Sequence, residues 1–200
     1  AIEDCDRAIK LNPEEPMAFI NRSNAKINLG KYDEAIVDCD EAIKLNPEEP
    51  MAFVNRGAAN LYLGKNEETI KDCDEAIKLN PKELIAFFNR SYAKNNLGNY
   101  KEAIEDCDEA IKLNPEYVEV FLLRSYPKNN LGNYKEAIED CDKAIKLNPK
   151  YAEAFYHRGI LKDKSGQKKE GKKDYKKAEQ LDITKKEINT IKERIKNPII

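Results

Sequence analysis

Tryptophan is absent from the 200 residues and histidine occurs once, at His157. No pair of imidazoles can therefore hold a metal, and no cysteine lies at a spacing from His157 that suggests a nucleophile. A glycine-rich phosphate loop is missing, and the Asp-x-Asp pairs lack the glycine of a calcium loop. No apolar run approaches the roughly 20 residues of a membrane-spanning helix. Neither charge sign dominates, with 35 Lys plus Arg against 37 Asp plus Glu, so the overall balance offers nucleic acid no attraction. These absences argue against an enzyme, a cofactor or metal protein, a nucleic-acid binder and a membrane protein.

What charge asymmetry exists is local. From Lys162 to the end the formal net charge is about +6, and before it about -8. The five cysteines are odd in number and evenly spaced, which suits free thiols in a reducing compartment better than a disulfide framework. No signal-peptide order opens the chain, so cytoplasm is the expected location.

The chain instead has a period of 34 residues. Leu-Asn-Pro recurs at Leu11, Leu45, Leu79, Leu113 and Leu147, and Cys5, Cys39, Cys73, Cys107 and Cys141 keep the same interval. Within a period, apolar residues fall at helical spacing on both sides of a glycine, and a proline follows the second run. Glycine can take the left-handed conformation that ends a helix, and proline cannot continue one. Each period therefore reads as a helical hairpin that must stack on its neighbours to bury its apolar stripes. The expected fold is all-α, an α-α superhelix or solenoid of helix-turn-helix repeats. Its boundaries are a partial repeat at 1–15 containing a second helix only, and full repeats at 16–49, 50–83, 84–117, 118–151 and 152–185. A capping helix follows at 186–196. The half repeat at the start makes the chain look like a piece of a longer array.

These columns resemble the tetratricopeptide repeat family over nearly the whole chain. The aromatic of the first helix is met by Phe19, Phe53, Phe87, Phe121 and Phe155. The small residue appears as Gly57 and Gly159, with serine in the other repeats, and the break as Gly30, Gly64, Gly98, Gly132 and Gly166. Tyr32, Tyr100 and Tyr134 start second helices, and Ala42, Ala76, Ala110, Ala144 and Ala178 allow close packing. The resemblance implies a protein-interaction scaffold whose first helices line a concave groove.

Three columns depart from the family's commonest pattern. Cysteine stands where a large residue usually packs, and reads as a small core residue whose thiolate the flanking aspartates disfavour. Arginine stands where leucine is common, at Arg22, Arg56, Arg90, Arg124 and Arg158. Aspartates at Asp6, Asp40, Asp74, Asp108 and Asp142 each precede an arginine-bearing helix, so the expectation is a structural ladder joining each Asp to the Arg of the next repeat. The third departure is a groove wall of apolar side chains interleaved with amides. The candidate peptide-binding residues are Asn21, Asn24, Asn55, Phe88, Asn89, Tyr92 and Tyr126, with Asn21, Asn55 and Asn89 forming a line that reads a peptide backbone.

The wall lacks the cations that grip acidic chaperone tails in related modules, because Ile20, Ile85 and Asn89 stand in their places. Repeats 84–117 and 118–151 differ at 8 of 34 positions, six of them in the first helix. One is Pro127, which should kink its helix and open the wall near Tyr126. After the lysine-rich last repeat, Thr184 and Glu187 fit a capping box, with Ile188, Ile191 and Ile195 as an apolar stripe. The expected function is capture of an uncharged peptide segment of a partner protein, without catalysis. The alternatives are a structural spacer, a homodimer among its forms, and a regulatory segment of a larger enzyme.

Overall fold

A computed structural model of the protein describes residues 1–181 and 184–196; the side chains at 185 and 193–196 are outside the description. Among the described residues there are twelve helices and no strand. In order they are α1 (Ile2–Leu11), α2 (Pro16–Asn28), α3 (Tyr32–Leu45), α4 (Pro50–Tyr62), α5 (Asn66–Leu79), α6 (Leu84–Asn96), α7 (Tyr100–Leu113), α8 (Val118–Asn130), α9 (Tyr134–Leu147), α10 (Ala152–Lys164), α11 (Lys168–Gln180) and α12 (Lys185–Lys196). Helices α2 and α3, α4 and α5, α8 and α9, and α10 and α11 pack as hairpins of an all-α helical-repeat solenoid. The chain divides into an N-terminal unit, Ala1–Ala93, and a C-terminal unit, Lys94–Ile200.

The punctuation explains the hairpins. The asparagine of each Leu-Asn-Pro is extended, with φ of -139 at Asn12 and -143 at Asn46, as a residue before proline must be. Its side-chain oxygen accepts from the amide two residues on, at 3.3 Å for Asn12 and 3.1 Å for Asn46. Pro16 and Pro50 then begin the next helices, where a missing amide proton costs nothing. At the other end of each first helix the glycine has positive φ, from 74 at Gly30 to 86 at Gly166. The amide after Gly30, that of Lys31, donates back to the Lys26 carbonyl at 2.9 Å, so the turn also satisfies the helix end.

In the N-terminal unit the core runs between hairpins. Phe19 and Ile20 pack with Ala42 and Ala52, and Phe53 and Val54 with Cys73, Ala76 and Ala86. Each buried aromatic or branched side chain contributes about 1.5–3 kcal/mol by leaving water. Small residues let the helices approach: a Cβ on Gly57 would lie 3.3 Å from the Asp72 Cβ. The C-terminal unit holds one larger cluster, including Phe121, Leu122, Tyr126, Cys141, Leu161 and Ile191. There Gly171 stands where the earlier repeats have alanine or threonine. A Cβ on it would come within 2.8 Å of the Gly159 carbonyl, so α10 and α11 demand the glycine.

The expected kink at Pro127 opens no wall. Pro127 sits inside α8, and Tyr126 beside it is fully buried. The capping box before α12 forms in both directions: the Thr184 amide donates to Glu187 Oε2 at 2.6 Å, and the Glu187 amide to Thr184 Oγ1 at 3.1 Å. These bonds hold the Glu187 carboxyl below its usual range. Ile191 is buried, Ile188 half-buried, and Ile195 lies outside the described side chains.

Candidate functional site on the first helices

The charged columns are consumed by structure. Each arginine of the first helices donates to the aspartate of the preceding second helix at 2.5 to 2.6 Å, in the pairs Asp6–Arg22, Asp40–Arg56, Asp74–Arg90, Asp108–Arg124 and Asp142–Arg158. Within a hairpin Arg22 also reaches Asp38, Arg56 Asp72, Arg124 Asp140 and Arg158 Asp174, at 2.5 to 2.7 Å. Every one lies over the phenylalanine three residues earlier, as Arg56 does at 5.5 Å from the Phe53 ring centre. Burial pulls the pKa of Arg56, Arg124 and Arg158 down, but the carboxylates that hold them outweigh it, and these three and Arg22 end above an already high value.

The aspartates of the same hairpin form a buried column that the composition of Asp-x-Asp pairs does not single out. Asp38, Asp72, Asp106, Asp140 and Asp174 are each almost fully buried. A lysine one turn past the arginine completes four of them: Lys26, Lys94, Lys128 and Lys162 stand 2.7 to 2.8 Å from Asp38, Asp106, Asp140 and Asp174. The second repeat has Asn60 there instead, donating to Asp72 at 3.1 Å. Burial raises the pKa of Asp72, and the hydrogen bond and charge of Arg56 oppose it. The strict 34-residue recurrence of this column, kept even in the last repeat at Asp174, was the available signal.

The asparagine line does not face an open groove. Asn55 is 7% exposed, and its amide donates to the Ile20 carbonyl at 3.2 Å and to Ser23 Oγ at 3.0 Å, fastening α4 to α2. Asn89 is 6% exposed; its Nδ2 finds no acceptor among the described residues, and Gly57 stands one period after Ser23. Asn21 is exposed, so the three do not act alike. The same column carries the buried Leu123 and then His157, whose Nδ1 lies 2.9 Å from Ser125 Oγ, again one first helix bonded to the preceding one. Tyr126 is also removed from the wall: it is fully buried, with its ring stacked 4.3 Å from His157. The column thus joins repeats because it lies on the flank where first helices meet.

What remains accessible lies on neighbouring columns. In the N-terminal unit these are Met17, Met51 and Ile85, then Asn24, Ala58 and Tyr92. Met17 is 43% and Ile85 37% exposed. Asn24 is exposed with Asn28 one turn on, while Met51, Ala58, Phe88 and Tyr92 are half-buried. All five cysteines are free thiols, and burial pushes Cys39 and Cys141 up to about 12. Among the described residues no cluster of metal ligands occurs, and no helix is long and apolar enough to cross a membrane.

Comparison with known families agrees with this geometry. The family model for the tetratricopeptide repeat matches residues 16–49 and 85–117, and two further models of this repeat match 129–166 and 152–182. The chain belongs to the tetratricopeptide repeat family. No curated protein matches it by sequence. Solved tetratricopeptide structures share the fold. YrrB, a TPR protein with an unusual peptide-binding site, is 20% identical with a TM-score of 0.70, covering 96% of this chain and 99% of its own. A thermophilic TPR protein of Thermus thermophilus is 21% identical at 0.74, covering 90% and 99%. MamA of Desulfovibrio magneticus is 19% identical at 0.74, covering 84% and 94%. At such identities the likeness concerns the fold alone.

Proposed function

We propose that the chain is a non-catalytic interaction module that takes an uncharged peptide segment of a partner protein on the first helices of its N-terminal unit. The contact surface is the accessible stripe of Met17, Met51 and Ile85 with Asn24, Ala58 and Tyr92. The observation that carries the reading is the exposure of Met17 and Ile85, large apolar side chains in one column, beside charged columns that are all engaged. An apolar stripe with few charges selects against nucleic acid and against acidic tails, since neither gains an ion pair there. The peptide-binding site of YrrB, on a similar fold, is consistent with this use of the array.

The test is selection from a random peptide library, followed by titration against Met17→Asp with Ile85→Asp. Selected peptides should lose at least about tenfold in affinity while the helical circular dichroism is unchanged. Peptides that bind the double variant as well as the original would place the site elsewhere. Sedimentation of the same proteins decides between this reading and self-association, because a spacer that dimerises through the stripe would become monomeric in the double variant.

A further inference from the structure

Helix α12 stands in sequence where the first helix of another hairpin would follow α11. In the N-terminal unit a helix at that place, α4, packs on the second helix before it, α3, and on α2. Helix α12 contacts α10 and reaches beyond it to α8, both of them first helices. Ile191 is 0% exposed and joins the cluster of Leu122, Tyr126 and Leu161. Leu122 and Tyr126 are one period after Phe88 and Tyr92. The first of these columns is already buried at Ile20 and Val54, but the second, exposed at Asn24 and half-buried at Ala58 and Tyr92, is buried at Tyr126, so that accessible column is closed in the repeat that α12 touches.

We propose that α12 is a built-in occupant of a helix-binding face made by α8 and α10. The face accepts, in place of α12, an amphipathic helix of a partner protein with branched aliphatic residues at i and i+3 and charged residues elsewhere. Ile188 and Ile191 display that spacing. Helix-in-groove recognition uses anchors of this kind. Among its described side chains α12 buries Ile191 and half-buries Ile188. A helix of 12 residues is also near the length that is marginal alone. Segments with few buried contacts open before the core does. Because α12 is tethered, a free competitor faces a high effective concentration, and the face is reserved for partners that bind tightly or arrive when α12 is displaced.

The proposal rests on the reading that first helices form the binding surface, but its test concerns the C-terminal unit alone. A labelled peptide of residues 184–196 is titrated against the full chain and against full-length Ile191→Asp. Release of α12 should tighten binding of the peptide on the order of 10- to 100-fold, and an aspartate in the peptide at its position 191 should abolish it. No gain in the variant overturns the proposal. Should the variant lose its helical signal, hydrogen exchange on the unaltered chain decides. Amides of α12 should exchange at least about tenfold faster than those of α8 to α11. Exchange at the rate of α10 would make α12 a fixed part of the core and overturn the proposal. Failure of the Met17 and Ile85 variant to affect library peptides leaves this result untouched, so the two readings fail separately.

Discussion

Asn60→Lys should stabilise the protein, and the reason is visible in four sister repeats. Asp38, Asp106, Asp140 and Asp174 each have a lysine ammonium at 2.7 to 2.8 Å; Asp72 has only the neutral Asn60 amide at 3.1 Å. Hydrogen bonds to a charged partner contribute about 1.5–3 kcal/mol, and a cation at the same carboxylate adds Coulomb attraction. Partial desolvation of the ammonium and the lost freedom of a lysine side chain take back most of the gain. A net of roughly 1 kcal/mol remains, which for a chain of this length is a rise of about 2–4 °C in the unfolding midpoint.

The pH dependence gives the sign. Burial raises the folded pKa of Asp72 above the ordinary 3.8, so between that value and the folded pKa the folded state binds more protons than the unfolded state. Stability contributed by this residue therefore falls as pH rises through that window. Lysine at position 60 lowers the folded pKa, so the gain is present near pH 7 and vanishes in acid, where Asp72 is protonated in either state. Urea unfolding of both proteins, followed by circular dichroism and taken as a difference, cancels the response of the other aspartates. A variant less stable at neutral pH, or a gain that persists unchanged in acid, refutes the reasoning.

Asn89→Leu should stabilise by about 1 kcal/mol in urea unfolding, because it removes a buried donor that has no acceptor and repeats the choice made at Leu123. Asn55→Ala should instead cost about 1–2 kcal/mol, since it severs two bonds to α2, and it should leave peptide affinity unchanged. Arg56→Met strands Asp72 in the interior and should cost roughly 3–5 kcal/mol by the same measurement; a neutral result would mean that the pair contributes nothing beyond its own desolvation. Titration with a thiol reagent at about pH 8 should find fast reaction at the half-buried Cys5 and slow reaction at the other four, with all five reacting in denaturant.

The architecture was legible because it rests on residues whose backbone chemistry is local. Gly30 at positive φ, Asn12 extended before a proline, and the reciprocal bonds of Thr184 and Glu187 need no knowledge of distant neighbours. The binding stripe was only half legible. Asn21, Asn55 and Asn89 share a column, but whether a column faces solvent or the next helix depends on a rotation of some tens of degrees between packed helices, which periodicity does not contain. The clue lay in the partner column: Ser23 accepts from Asn55 and Ser125 bonds to His157, while Gly57 before Asn89 has no hydroxyl to offer. Asp38 and Asp40 both recur every 34 residues, but only the Asp38 column continues into the last repeat, at Asp174 where the other has Lys176; the arrangement of the hairpin then makes the first carboxylate buried and the second exposed. The docking of α12 has no periodic signal because it occurs once.

Arg22, Arg56, Arg124 and Arg158 each belong to two hairpins at once, taking one carboxylate from the helix behind and another from their own. Every such joint is chemically the same. Excising one whole period would bring Asp40 to Arg90 in place of Arg56, and the seam would close with its charges matched. Such an array can gain or shed repeats by unequal recombination without a severed bridge, whereas a single changed letter in the same column is absorbed by nothing.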